Sequence, residues 1–126
     1  MTDTEKRLFL MEHNVVQSGV ELIAAEVRRQ QLTWSDEHDD THTENQLTKA
    51  AECYSTAARR QVRQYDKAFV LMAMNDYPHE WGGGAEGQRK VQDNPVDNLK
   101  RAGALIAREI DRLQRLQRKQ LSETIK

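Results

Sequence analysis

The segment 34–43 holds the side chains of this chain that are best suited to chemistry. Its ten residues include four acidic side chains and two imidazoles, His38 and His42. Carboxylate oxygens and imidazole nitrogens are common ligands of divalent metal ions, and both groups also transfer protons. A metal-dependent nucleotide hydrolase centred on residues 37–42 is therefore one functional hypothesis.

The same segment has a purely structural interpretation. Six successive loop residues cannot all face one ion, and the sequence supplies no convincing helical partner for them. Asp39, Asp40 and Thr43 instead suit the first turn of the following helix, where they would accept hydrogen bonds from free amides. Trp34 would then pack the loop against the core. No metal ligand, catalytic residue or cofactor is assigned on this interpretation.

Arginine placement points to a ligand with phosphate groups. Arg101, Arg108 and Arg112 are separated by steps of seven and four, which places them on roughly one face of a helix. Guanidinium groups bind phosphates in a two-point manner, and aromatic rings can stack on a base. The alternative is that the arginines form ion pairs on a solvated surface. The candidate ligand-binding residues are Arg28, Trp34, His38, Trp81, Arg101, Arg108 and Arg112.

Three amphipathic patterns must position these residues, and they predict helices over about 4–30, 44–74 and 95–120, followed by a polar tail. Thr43 and Gln46 fit a capping box for the second helix. Asn94 and Pro95 fit the N-cap and first position of the third. Within residues 66–93 the pattern is ambiguous between helix, strand and loop. We predict a mainly α, antiparallel three-helix domain, with room for a short β-hairpin or extended segment.

Composition limits the class of protein. The chain has 126 residues, enough for one domain, and 37% hydrophobic residues, which favours a homo-oligomer, a dimer or higher, over a self-sufficient core. Its charged residues nearly cancel to a net charge of −1, which argues against general nucleic-acid binding. No apolar run reaches the roughly 20 residues that span a membrane. The single cysteine, Cys53, suits a reducing cytoplasm.

Two blocks of the sequence resemble small phage and prophage proteins. Residues 23–30 (IAAEVRRQ), with Trp34, 37–40 (EHDD) and His42, resemble the opening of those proteins. Residues 98–113 (NLKRAGALIAREIDRL) are similar to their closing helix. Together the blocks cover less than half of the chain. This resemblance implies a protein that acts in the cytoplasm of a phage-infected host cell.

The layout and arginine placement also resemble the phage Thoeris anti-defence sponges. Proteins of that family are small, mostly helical and oligomeric, and they sequester cyclic ADP-ribose isomers without cleaving them. The resemblance implies that Arg28, Arg108 and Arg112 contact phosphates and that Trp81 stacks on adenine. The resulting prediction is a counter-defence protein that binds a nucleotide signal of the cyclic ADP-ribose or cyclic oligonucleotide type. The hydrolase, and an inhibitor that binds a host protein, remain alternatives.

Overall fold

The computed structural model describes residues 2–10 and 17–125, which form seven α-helices and two 3₁₀ turns. No strand occurs among these residues, so the mainly helical class is confirmed and the β-hairpin is not found in them. The helices are α1 Asp3–Leu10, α2 Gly19–Gln31, α3 Asp36–Asp39, α4 Gln46–Val62, α5 Lys67–Met72, α6 Gly83–Lys90 and α7 Pro95–Ile125, and the 3₁₀ turns are Ala73–Asp76 and His79–Trp81.

The first predicted helix, 4–30, is represented by α1 and α2. Ser18 has extended backbone angles, and its Oγ accepts a hydrogen bond from the Glu21 amide at 3.1 Å. This side chain is an N-cap, so α2 begins as a separate helix at Gly19. Residues 11–16 of the predicted helix lie outside the described residues.

The second predicted helix, 44–74, is divided. α4 ends at Val62, Gln64 takes a left-handed φ of 62°, and Asp66 caps α5 by accepting from the Phe69 amide at 2.8 Å. The predicted capping box is wrong. Asn45, with φ 63°, precedes α4, and the Gln46 side chain accepts from the Glu44 amide at 2.8 Å. The left-handed residue places the start of the helix beyond the reach of a Thr43 cap.

The third predicted helix begins where the sequence indicates. Asn94 Oδ1 accepts a hydrogen bond from the Asp97 amide at 2.9 Å, and Pro95 is the first helical residue. α7 then continues for 31 residues to Ile125, so the predicted polar tail is helical. At 1.5 Å per residue it is about 46 Å long. Residues 116–125 are all exposed, so this last part of α7 projects from the rest of the described chain.

The core lies where α4 crosses α7, through small side chains that let the two helices approach closely. Its larger members are Leu47, Tyr54, Met74 and Leu105. Asn98 is fully buried, and its side chain exchanges hydrogen bonds with the Gln92 backbone and with Gln61. These bonds fix the start of α7 against α4 and the chain that leaves α6. α7 also packs against α2 and α3.

The orientation of α7 is unusual for an amphipathic helix. Its apolar residues Ile106 and Ile110 are 45% and 51% exposed, whereas Arg108, Glu109 and Arg112 are at most 8% exposed. A surface helix normally turns its apolar stripe toward the core. Here the charged side chains on the inner face are neutralised by ion pairs, which makes their burial possible.

Candidate functional site

Six aromatic rings form a continuous chain across the described structure. Trp34 stacks on His38 with ring centroids 4.7 Å apart, and His38 meets the edge of His42 at 4.8 Å. His42 then contacts Trp81 at 5.0 Å, Trp81 contacts Tyr77 at 5.8 Å, and Tyr77 contacts Tyr54 at 6.3 Å. Aromatic pairs at these separations attract each other beyond their simple apolar burial. The result is a preassembled wall of rings.

The short helix α3 sets the spacing of the two histidines. Ser35 Oγ caps it by accepting from the His38 amide at 3.1 Å, and Thr41 Oγ1 donates to the His38 carbonyl at 2.6 Å. His38 and His42 are four residues apart, so one helical turn followed by a second turn of the chain brings both rings to one side. Trp34 comes from the connection before α3, and Trp81 from the 3₁₀ turn His79–Trp81.

A buried ion pair holds α3 against α7. Arg108 donates from Nε to Asp39 Oδ2 at 3.0 Å and from Nη2 to Asp39 Oδ1 at 2.5 Å, while Nη1 donates to Gln30 Oε1 at 2.8 Å. Asp39 is 1% exposed and Arg108 is 4% exposed. The prediction that Asp39 caps the second helix is therefore wrong, because its carboxylate is directed to α7. The charge of Arg108 is largely neutralised.

A second ion pair repeats this connection nearer the surface. Arg115, seven residues after Arg108, donates to Asp40 Oδ1 at 2.8 Å and to the Asp36 carbonyl at 3.2 Å. Asp40 is therefore not a helix cap either. Three of the four acidic residues of the segment 34–43, Asp36, Asp39 and Asp40, thus attach that segment to α7.

The ring chain borders a cleft of about 540 Å³, which we call the aromatic cleft. Its lining residues are Trp34, His38, His42, Tyr77, Glu80, Trp81, Glu86, Lys90 and Arg108. The structure thus brings together four of the candidate residues: Trp34, His38, Trp81 and Arg108. Trp34 is 41% exposed, so its ring is available to a ligand and does not anchor the loop in the core as predicted.

A smaller hollow of about 220 Å³ adjoins the aromatic cleft, and we call it the basic hollow. Its lining residues are Arg29, Gln30, Trp34, Tyr54, Tyr77, Lys90, Arg101, Leu105 and Arg108. Trp34, Tyr77, Lys90 and Arg108 line both spaces. Arg101, a fifth candidate residue, lies here. Aromatic side chains thus line one space, and cationic side chains are concentrated at its neighbour.

Two cations of the basic hollow have no carboxylate within 4.0 Å among the described residues. Lys90 Nζ lies 3.4 Å from the Tyr77 hydroxyl, and Arg101 Nη1 donates to the Lys90 carbonyl at 3.5 Å. Arg29, by contrast, forms two hydrogen bonds to the Glu26 carboxylate. Lys90 and Arg101 therefore carry the positive charge that is available to an anion.

Burial favours the neutral forms of three rings of the site, His42, Tyr54 and Tyr77. Burial, reinforced by the neighbouring His38 and Arg108, lowers the pKa of His42 against the smaller opposing effect of Asp39 and Glu80. Burial also raises the pKa of both Tyr54 and Tyr77. At pH 7 the two hydroxyls are therefore protonated, and His42 is uncharged.

The remaining candidate residues lie elsewhere. Arg112 donates to Glu109 within α7, and both side chains are buried. Arg28 is exposed on α2, and the described lining of the two spaces contains neither Arg28 nor Arg112. Sequence reasoning missed Lys90 and Tyr54. Lys90 was hidden because α6 begins with glycines that are typical of a loop.

The metal hypothesis receives little support from this geometry. The described residues contain no group of three or more His, Cys, Asp or Glu side chains placed to hold a metal ion. Asp39 and Asp40, the carboxylates that the hypothesis needs, accept hydrogen bonds from Arg108 and Arg115.

Fold and site define a mainly helical protein with an aromatic cleft beside a basic hollow. Comparison with protein-family models, with curated proteins and with solved structures finds no match. In the part of the chain that the structure describes, every helix is too short or too polar to cross a membrane.

Proposed function

We propose that this protein binds and sequesters a nucleotide-derived small molecule without cleaving it. The observation that carries the proposal is that the aromatic cleft and the basic hollow are neighbours, with Trp34, Tyr77 and Lys90 lining both. An aromatic space joined to a positively charged one matches a molecule in which a base is joined to phosphate. In keeping with the phage-like blocks, the ligand is a defence signal of the cyclic ADP-ribose or cyclic oligonucleotide type.

The aromatic cleft supplies the binding energy for a base. Trp34 presents a partly exposed ring, and Trp81 is half-buried with its edge fixed by His42 and Tyr77. Stacking of a base on an aromatic side chain contributes about 1–3 kcal/mol. Because the rings already pack on one another, little side-chain ordering is needed on binding.

The basic hollow supplies the complementary charge. Lys90 and Arg101 converge beside the hydroxyls of Tyr54 and Tyr77, each of which remains protonated. Ammonium, guanidinium and hydroxyl donors together suit phosphate oxygens. The proposed phosphate contacts are thus Lys90 and Arg101, with Arg108 holding the wall in place. Arg28 and Arg112, which the sponge resemblance implies, have no place in this arrangement.

Binding without turnover is supported by the lining residues. Among those described, neither space is lined by a serine, threonine or cysteine side chain that could act as a nucleophile. Among the described residues, both imidazoles contact aromatic rings, and neither forms a hydrogen bond with a carboxylate that would orient it as a base. These features favour a holding site over a hydrolase.

The proposed protein works as a homo-oligomer in the host cytoplasm. Its scaffold is an antiparallel three-helix arrangement of α2, α4 and α7, and contacts of α7 with both other helices support it. The exposed apolar side chains of α7 support association of more than one copy.

Isothermal titration calorimetry tests the proposal with cyclic ADP-ribose isomers, cyclic dinucleotides, adenosine and AMP. We expect tight binding that EDTA does not alter, and chromatography should recover the ligand intact. Trp34→Ala and Lys90→Met should each weaken binding tenfold or more, since each removes a contact to a different part of the ligand. Arg28→Ala is the matched control and should bind normally.

Three results would count against it. Absence of heat with every compound would overturn nucleotide binding. Ligand breakdown that requires Mg²⁺ or Mn²⁺ would favour the hydrolase. Loss of binding in Arg28→Ala with normal binding in Lys90→Met would transfer the phosphate contacts to the residues that the sponge resemblance implies.

A further inference from the structure

One side of α7 is an apolar stripe that the described body of the protein leaves uncovered. Its members are Val96, Leu99, Ile106, Ile110, Leu113 and Leu121, which are between 41% and 62% exposed. At 3.6 residues per turn these six positions fall within an arc of about 100°. The stripe runs along the helix for about 38 Å.

The opposite side of α7 explains why the stripe is free. Arg108, Glu109 and Arg112 face inward and are buried in ion pairs. α7 turns these charged side chains, together with Ala102 and Leu105, toward the body of the protein, and the stripe faces outward. An exposed apolar stripe of this kind is a candidate interaction site.

We propose that the stripe pairs with the same stripe of a second copy, with the two α7 helices antiparallel. This inference deepens the proposed homo-oligomer and does not depend on the ligand. A two-fold interface requires that if one residue contacts another across it, the reciprocal contact also forms. The stripe is compatible with a two-fold axis that passes α7 near residue 108, because most of its apolar positions are spaced about equally on either side of that residue.

The symmetry is visible in the spacing. Ile106 and Ile110 lie equally far from residue 108, and so, within one residue, do Val96 and Leu121. Leu113 comes opposite Gly103, where the Ile23 side chain of α2 continues the apolar surface. An antiparallel pair therefore places apolar groups against apolar groups at these three pairs of positions, while Leu99 comes opposite Gln117.

The stripe alone supplies about half of the area that each partner of a standard interface buries. A stripe about 38 Å long on a helix about 10 Å wide has a footprint of about 400 Å². A standard interface buries about 800 Å² on each partner, so side chains beside α7 must contribute. Met72 on α5 is 50% exposed and shares a groove with Ile106, so it extends the apolar surface beside the stripe.

The projecting end of α7 has a role in this arrangement. Residues 116–125 are exposed in one copy, and they include Leu121. In the antiparallel pair this end lies along the beginning of α7 in the second copy, where Val96 is also exposed. Both uncovered regions are thus buried by the same contact.

Sedimentation velocity tests the association. We expect a mass of about twice the 14.6 kDa of one chain. The double variant Ile106→Glu/Ile110→Glu should sediment as a monomer with unchanged helical circular dichroism. The control Lys119→Glu lies nine residues after Ile110, on the opposite side of the helix, and should remain a dimer.

Cross-linking tests the direction. A mixture of Val96→Cys and Leu121→Cys chains should give a covalent dimer with a short thiol cross-linker, whereas Leu121→Cys alone should not, because its two copies lie about 38 Å apart. The native chain, which carries the buried Cys53, is the control for cross-linking through that native thiol. A monomeric native protein would overturn the proposal, and so would cross-linking of Leu121→Cys alone, which indicates parallel helices.

Discussion

Arg108 and Asp39 lie 69 residues apart in the sequence, and they form a two-point ion pair that is almost completely buried. The pair joins α7 to α3 and so determines where His38 and His42 stand. Gln30 at the end of α2 accepts a third hydrogen bond from the same guanidinium group. One arginine thus aligns three elements around the aromatic cleft.

Removing one partner of this pair should be strongly destabilising. Asp39→Ala leaves a buried guanidinium without its counter-charge, and the loss is expected to be about 3–5 kcal/mol in the free energy of unfolding. Arg115→Ala is the matched control, since its pair with Asp40 is near the surface and should cost at most about 1 kcal/mol. Urea denaturation measures both, and equal losses would contradict the assigned role of Arg108.

Gly87 should resist replacement because of the residues packed against it. An added Cβ would lie 2.8 Å from Tyr77 Cγ and 2.9 Å from Met74 Cβ, both close to the backbone and unable to move freely. We expect Gly87→Ala to destabilise the fold by about 1–3 kcal/mol, although alanine is the better helix former. Thermal unfolding followed by circular dichroism measures this.

Gly19 provides the comparison for that variant. No atom of the described residues lies within 4 Å of the position where its Cβ would be built. Gly19→Ala should therefore be neutral or slightly stabilising. Equal unfolding temperatures for Gly87→Ala and Gly19→Ala would contradict the close packing of Gly87 in α6 against Tyr77.

The stability of the protein should fall as the pH drops below about 6.5, the ordinary pKa of histidine. Because burial lowers the pKa of His42, the unfolded chain binds a proton that the folded chain resists. The destabilising effect of His42 protonation is thus absent well above pH 6.5. It grows as the pH falls toward the lower pKa of His42 in the folded chain, and below that pKa it stays constant. NMR titration of His42 and unfolding at several pH values measure the effect. His42→Gln should remove that part of the pH dependence.

Cys53 should be unreactive in the folded protein. Burial raises the pKa of its thiol to about 11, so the thiolate that reacts with disulfide reagents is scarce at pH 8. We expect the native chain to react with a thiol reagent at least a hundredfold more slowly than the chain in urea. Fast labelling under native conditions would show that α4 opens or that Cys53 is accessible.

Much of the site could be anticipated from the sequence, but only within short stretches. Trp34, His38 and His42 were recognised as a group because they follow one another within nine residues. Trp81 was a candidate, yet its contact with His42 depends on the turn after Pro78, for which the sequence pattern predicts only a flexible loop. Lys90 was missed for the same reason.

Features that depend only on neighbouring residues could be predicted from the sequence. The helical class follows from periodicity, and the start of α7 follows from Asn94 and Pro95, because a helix cap is a hydrogen bond over three residues. The tertiary structure alone decided which side of α7 faces inward. An amphipathic pattern has two sides, and only the position of Asp39 on another helix makes burial of Arg108 favourable and leaves Ile106 and Ile110 outside.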